Sequence, residues 1–210
     1  NQKKMLIKSG IGTKDQIFIN GCPRSDFSFK LRNIKPNEKV IVFYLIETKR
    51  STANKFQRLI NKSNLSWEKL YNQTLKYLIE YAVKNPNVKI ILKGKTGVHK
   101  QSDFNEKLLP KNCTFIDGGT GEKFLKNSNV IIAFNSTIVF EVIASNRNLV
   151  IPNFNDERNK RKKFMHEIKN KKYFANSKNQ FNNKLNLYLN SKYINKKLSN
   201  IDNRTLKYYL

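Results

Sequence analysis

Cysteine is almost absent from this 210-residue chain, with only Cys22 and Cys113. Each lies beside an apolar stretch (IFINGC and CTFI). That placement reads as buried free thiols in a reducing compartment, not as a disulfide framework. No CxxC pair or His/Cys cluster is present, which argues against structural zinc. Acidic residues are scarce, and no D-x-D pair or other carboxylate cluster suits Mg²⁺. A metal-independent chemistry with no cofactor is therefore expected. No apolar run approaches the roughly 18 residues of a membrane helix, and no signal peptide is visible.

Hydrophobic residues make up 39% and aromatics 11%, enough for a packed core and too much for wholesale disorder. Lys and Arg number 41 against 15 Asp and Glu, a formal net charge of +26. Such an excess brings nucleic acid, anionic lipid and phosphorylated ligands into view as partners. Part of it is compositional. Lys and the about 30 Asn rise together when codons are rich in A and T.

Short apolar strands alternate with amphipathic helices. Strands are expected at Gln16–Asn20, Lys39–Ile46, Val88–Lys93, Cys113–Asp117, Asn129–Phe134 and Leu149–Pro152, with a small one at Lys172–Ala175. KVIVFYLI is nearly continuous, as buried parallel strands are. A helix is expected over Ser66–Asn85, with Trp67, Leu70, Tyr71, Leu75, Leu78, Ile79 and Ala82 on one face. Further helices fall at Glu122–Asn127, Ser136–Ser145, Arg158–Lys169 and Gln180–Leu189. Strands separated by helices imply an α/β, Rossmann-like parallel sheet with helices on both faces. Residues 33–190 form that domain. Residues 1–32 read as the end of an N-terminal unit plus a linker, and 191–210 as a basic helical tail. The chain opens with Asn1, so an upstream segment is expected.

Asn129–Asn155 (NVIIAFNSTIVFEVIASNRNLVIPNFN) carries the most chemistry. A strand ends at Asn135-Ser136-Thr137 and a helix begins there. Ligands of open α/β sheets bind at the carboxyl ends of strands, and a helix start offers unpaired N–H groups to a phosphate. Ser136 and Thr137 add hydroxyls. Glu141, at i+4 from Thr137, can accept two hydrogen bonds from a ribose diol. The same residues would equally serve as an ordinary helix cap followed by a solvated carboxylate. Lys93 and Lys95 close one strand, and Gly118–Gly121 closes another. Arg24 and Asp26 follow Gly21-Cys22-Pro23, where they would also suit a local ion pair. His99 and His166 stand alone, and neither is assigned a catalytic role.

With these segments in this order, the chain resembles the C-terminal half of GT-B glycosyltransferases. Bacterial surface-carbohydrate and capsule biosynthesis enzymes and the CDP-glycerol glycerophosphotransferases of teichoic acid synthesis are the groups it is similar to. The segments carrying the resemblance are Gly21–Asp26, Lys93–Lys95, Ser136–Glu141 and Val150–Pro152, and it spans roughly Met5 to Phe154. It implies a nucleotide-activated sugar donor bound by this chain, and a lipid-linked or glycan acceptor on a domain the chain lacks. By that resemblance Asn135, Ser136 and Thr137 contact the phosphates and Glu141 holds the ribose. Lys93 and Lys95 offset the diphosphate charge, and Gly118 and Gly119 lie near the base. Arg24 and Asp26 stand at the interdomain edge, and the general base is expected on the missing domain. The glycerophosphotransferases carry a His-Pro pair after the Lys-bearing strand. This chain has Gly94-Lys95-Thr96-Gly97-Val98-His99 instead, which looks more like the sugar-transferring members.

Two rivals compete. Nucleotide-sugar 2-epimerases share the layout but carry Ser-Gly-Gly where this chain has Asn135-Ser136-Thr137. A nucleic-acid-binding module would use the charge, since residues 156–210 hold 15 Lys and Arg against 4 Asp and Glu. No helix-turn-helix, zinc-finger or RNP-type pattern accompanies it, so a nucleic-acid partner is not expected. The expected location is cytoplasmic, with the basic surface resting on the anionic inner membrane.

Overall fold

The computed structural model describes residues 2–17, 23–34, 36, 39–46, 67–99, 109–134, 136–154, 168, 170–190, 202–204 and 206. All five side chains of β1 (Val40–Tyr44) are buried. A strand apolar on both faces must be covered on both, as in a parallel sheet flanked by helices. β1 pairs in parallel with β2 (Lys89–Lys93) on one side and β4 (Val130–Ile132) on the other, Ile41 standing opposite both Ile90 and Val130. β3 (Cys113–Ile116) flanks β2, β5 (Asn148–Pro152) flanks β4, and β6 (Phe174–Ala175) completes the sheet. The order is β3-β2-β1-β4-β5-β6, with every pairing parallel. This is the doubly wound arrangement, and strand order reverses at the β1/β4 boundary.

The described helices are α1 (Gln2–Lys8), α2 (Pro23–Lys30), α3 (Trp67–Lys84), α4 (Gly121–Asn127), α5 (Ile138–Ala144) and α6 (Lys178–Asn190). Adjacent residues of β1 assign them to faces, because successive strand side chains alternate. Phe43 meets Tyr71 of α3 at 5.9 Å between ring centroids. The Tyr44 hydroxyl donates to Gly121 O of α4 at 2.7 Å. α3 and α4 therefore cover opposite faces. α6 joins α3 through the Tyr81–Asn186 hydrogen bond and the Lys178–Glu80 ion pair. α5 joins α4, since a Cβ on Gly121 would stand 3.3 Å from Ile138 Cδ1.

Of the apolar face expected on α3, Tyr71, Leu75 and Ile79 are half-buried, and the Trp67 side chain lies outside the described residues. Leu70, Leu78 and Ala82 are fully buried, and Thr74 satisfies its hydroxyl on Leu70 O at 2.7 Å. Each such leucine contributes on the order of 1.5–3 kcal/mol. Beyond Lys84 the chain turns at Asn85-Pro86. The Asn112 amide lies 2.8–3.1 Å from the carbonyls of Ala82, Asn85 and Val88, satisfying groups the helix end leaves open.

Two arginines fasten helix ends on the other face. Arg32 Nε donates to Ala144 O at the end of α5, at 2.6 Å. Buried Arg147 donates from Nε to Leu125 O at 3.0 Å, and from Nη2 to Lys126 O at 3.2 Å and Leu31 O at 3.3 Å. Between them Asn146 adopts a left-handed conformation (φ 56°), ending α5. α2 packs against α5, and Leu31 belongs to the core.

Strand expectations hold to within about two residues, with two corrections. Gln16 and Ile17 are not strand. Gln16 N–H donates to Thr13 O and its side chain accepts from Thr13 N–H, so a local turn takes the groups a strand would need. The expected strand at Lys172–Ala175 is two elements, a 3-10 turn over Lys171–Tyr173 and then β6. The Asn170 side chain accepts from Lys172 N–H and starts that turn. Phe18–Asn20, Gly21 and Cys22 lie outside the described residues. So do most of the helix expected at Arg158–Lys169 and most of 191–210. Asp202 and Leu206 of that terminal stretch are buried, and Asp202 pairs with Lys172 at 3.0 Å.

Candidate functional site

The site must be built from what the sheet presents at its carboxyl edge. β1 and β4 lie side by side there, and their chain connections leave in opposite directions, toward β2 and toward β5. Diverging connections leave a crevice above the strand ends, and open α/β sheets bind ligands in it.

Three loops leave the sheet at this edge. After β2, Lys93-Gly94 leads into a turn at Lys95–Val98 that is closed by Val98 N–H to Lys95 O at 3.0 Å, with Gly97 at φ +74°. After β3, Asp117 precedes Gly118 and Gly119, both with positive φ. A side chain on either glycine would be strained, and Gly118 also lies against Thr96, whose Oγ1 is 3.4 Å from where a Cβ would stand. After β4, Ser136 and Thr137 lead into α5, and both are exposed. Thr137 makes no side-chain cap bond, and Ser136 Oγ stands 3.5 Å from Ile138 N. Ser136 Oγ accepts there and keeps its own proton to donate, while the Thr137 hydroxyl takes no part in capping α5.

The two lysines separate. Lys93 is only 5% exposed. Its Nζ donates to Gly94 O at 2.5 Å and lies 5.5 Å from the Phe124 ring centroid. Burial pushes its pKa down, and the Asp117 carboxylate partly offsets this. Lys95 is exposed. One cation is thus buried and the other exposed.

Glu141 is also buried, at 7% exposure on the first turns of α5. Tyr44 stands near enough that, after burial, the Glu141 charge is the second cause raising the tyrosine pKa. Tyr44, Gly121 and Ile138 pack together and join β1 to the starts of α4 and α5. Sequence reasoning did not single out Tyr44. Its one signal was a polar-tipped aromatic near the end of an otherwise apolar run.

Lys93, Lys95, Gly118, Gly119, Ser136, Thr137 and Glu141 therefore share the carboxyl edge. Asn135 lies outside the described residues, as does the Arg24 side chain. Asp26 is exposed on α2. Cys113 is a buried free thiol at the start of β3, away from this edge. Among the described residues no three His, Cys, Asp or Glu side chains cluster as metal ligands would, and no helix is long and apolar enough to cross a membrane.

Fold and edge together define a doubly wound, Rossmann-like α/β domain. No protein-family model and no curated protein matches the chain. It is similar to the crystal structure of TarM, at a TM-score of 0.45 and 15% identity over 92% of this chain. The chain spans 32% of the length of TarM.

Proposed function

We propose that this domain binds the nucleotide-activated sugar donor of a glycosyltransferase that builds a bacterial surface polysaccharide. The observation that carries the reading is the convergence at the β1/β4 switch point. An exposed lysine, two exposed hydroxyls and a pair of left-handed glycines follow β2, β4 and β3 at the same edge of the sheet. That set suits a nucleoside diphosphate. Lys95 would offset phosphate charge, with buried Lys93 adding positive potential, as phosphate clamps do. Ser136 and Thr137 would donate to phosphate oxygens. Gly118 and Gly119 would let the base approach the backbone. Glu141 would hold the ribose diol. The motif order Lys93–Lys95, Ser136–Glu141, Val150–Pro152 supports the same assignment. In this reading the lipid-linked or glycan acceptor and the general base belong to a partner domain. The basic surface rests on the anionic inner leaflet.

The test is thermal unfolding with CMP, CDP, UDP and GDP, on the parent and on Lys95→Ala and Thr137→Val. Both variants alter exposed side chains and leave the core intact. A nucleotide at 100 times its dissociation constant stabilises by about 2.7 kcal/mol. At about 2–4 °C per kcal/mol in a chain of this size, the midpoint rises by about 5–11 °C. One nucleotide should give that shift, and both variants should diminish it. No shift with any nucleotide, together with tight salt-sensitive RNA binding, would overturn the reading.

A further inference from the structure

Lys95 projects from a loop that one buried side chain holds in place. His99 is 7% exposed. Its Nδ1 lies 3.1 Å from the backbone N of Lys95. Its Nε2 lies 3.2 Å from the carbonyl oxygen of Ile46, just past β1. A backbone N–H only donates and a carbonyl only accepts. Nδ1 must therefore carry the lone pair and Nε2 the proton, which defines a neutral ring in one tautomer. The ring thus spans from the end of β1 to the loop after β2. It also packs beneath the loop's first residue, since a Cβ on Gly94 would stand 3.2 Å from His99 Cβ.

β1 is one wall of the switch-point crevice. Whatever fixes the β2 loop to the end of β1 fixes where Lys95 and Thr96 stand over it. We propose that His99 is a positioning residue. As the neutral Nε2–H tautomer, it sets the lysine loop against β1 without touching the ligand. This rests on the donor-site reading and deepens it, by naming the group that orients the exposed cation.

The experiment uses His99→Ala, His99→Asn and His99→Gln in the chain as it stands. Asn can still accept from Lys95 N–H, and Gln can still donate to Ile46 O. Three readouts apply: amide exchange at Lys95, the imidazole ¹⁵N spectrum of the parent, and affinity for the nucleotide the parent binds. Loss of both ring bonds should speed Lys95 exchange about tenfold and weaken nucleotide affinity about tenfold. His99→Asn should recover Lys95 protection, and His99→Gln should not. The parent spectrum should show a protonated Nε2 and a bare Nδ1.

A charged ring at neutral pH, or the opposite tautomer, would overturn the proposal. So would unchanged Lys95 exchange in His99→Ala, and so would an affinity loss without it, which would mean direct ligand contact. If His99→Ala does not fold, the parent spectrum and the Asn and Gln variants decide. If the parent binds no nucleotide, the donor reading fails, while exchange and tautomer still decide the role of His99.

Discussion

Gly94→Ala should destabilise the domain through a clash that can be named atom by atom. Gly94 has no left-handed φ, so alanine meets no backbone penalty. The obstacle is space. A Cβ there would stand 2.9 Å from Phe115 Cε2, 3.0 Å from Phe115 Cζ and 3.2 Å from His99 Cβ. Phe115 is buried on β3 and cannot swing into solvent, and His99 is bonded at both ring nitrogens. Overpacking of this kind costs about 1–3 kcal/mol. Taking about 2 kcal/mol and about 2–4 °C per kcal/mol, the melting midpoint falls by about 4–8 °C. The assay is calorimetry on a four-member cycle with Phe115→Leu, which removes the opposing ring edge. In that background Gly94→Ala should cost less by at least about 0.5 kcal/mol, the coupling expected of residues in contact. A Gly94→Ala protein within about 0.5 kcal/mol of the parent would refute the steric argument. So would equal costs in the two backgrounds.

Arg147→Leu strips three carbonyls of a buried cationic donor and should cost at least about 3 kcal/mol in urea unfolding, whereas a loss under 1 kcal/mol would mean water replaces the guanidinium. Cys113 supplies a pH test. Burial pushes its thiol up to about 11. A folded pKa above the unfolded one favours the protonated form, so this stabilisation is complete below about pH 9 and fades as pH rises toward 11. Cys113→Ala should therefore lose less stability than the parent between those values. Parallel pH curves would contradict the assignment.

The sheet was legible because its signal is local. KVIVFYLI, VKIILK and NVIIAF are apolar on both faces, and only a parallel sheet covered by helices accommodates that. The loops bordering the crevice were legible for the same reason, being strand ends in a known order. What stayed hidden depends on distant partners. Nothing in the string Lys93-Gly94-Lys95 says that one lysine is buried and the other faces solvent. Phe124 and Asp117 are the partners of Lys93, and they arrive with the loop and helix that follow the next strand. His99 looked solitary because one of its ring partners, Ile46, is 53 residues earlier. Arg147 reaches Leu31 across 116 residues. The Gln16 region failed in the other sense, because the nearby Thr13 carbonyl took the Gln16 N–H a strand would have used.

The pairing of β1 with β4 has a consequence during synthesis. Val40 N–H donates to Asn129 Oδ1, and Asn129 N–H to Val40 O, across 89 residues of chain. β2 and β3 emerge first and can satisfy only one side of β1. Its other side is an open edge of five apolar residues until β4 leaves the ribosome. At about 5–20 residues per second, that interval lasts roughly 5–20 s. Through it the nascent chain offers other strands a template for pairing. The crevice at the switch point comes into being only when that edge closes, so the ability to bind ligand and the end of this vulnerable interval coincide.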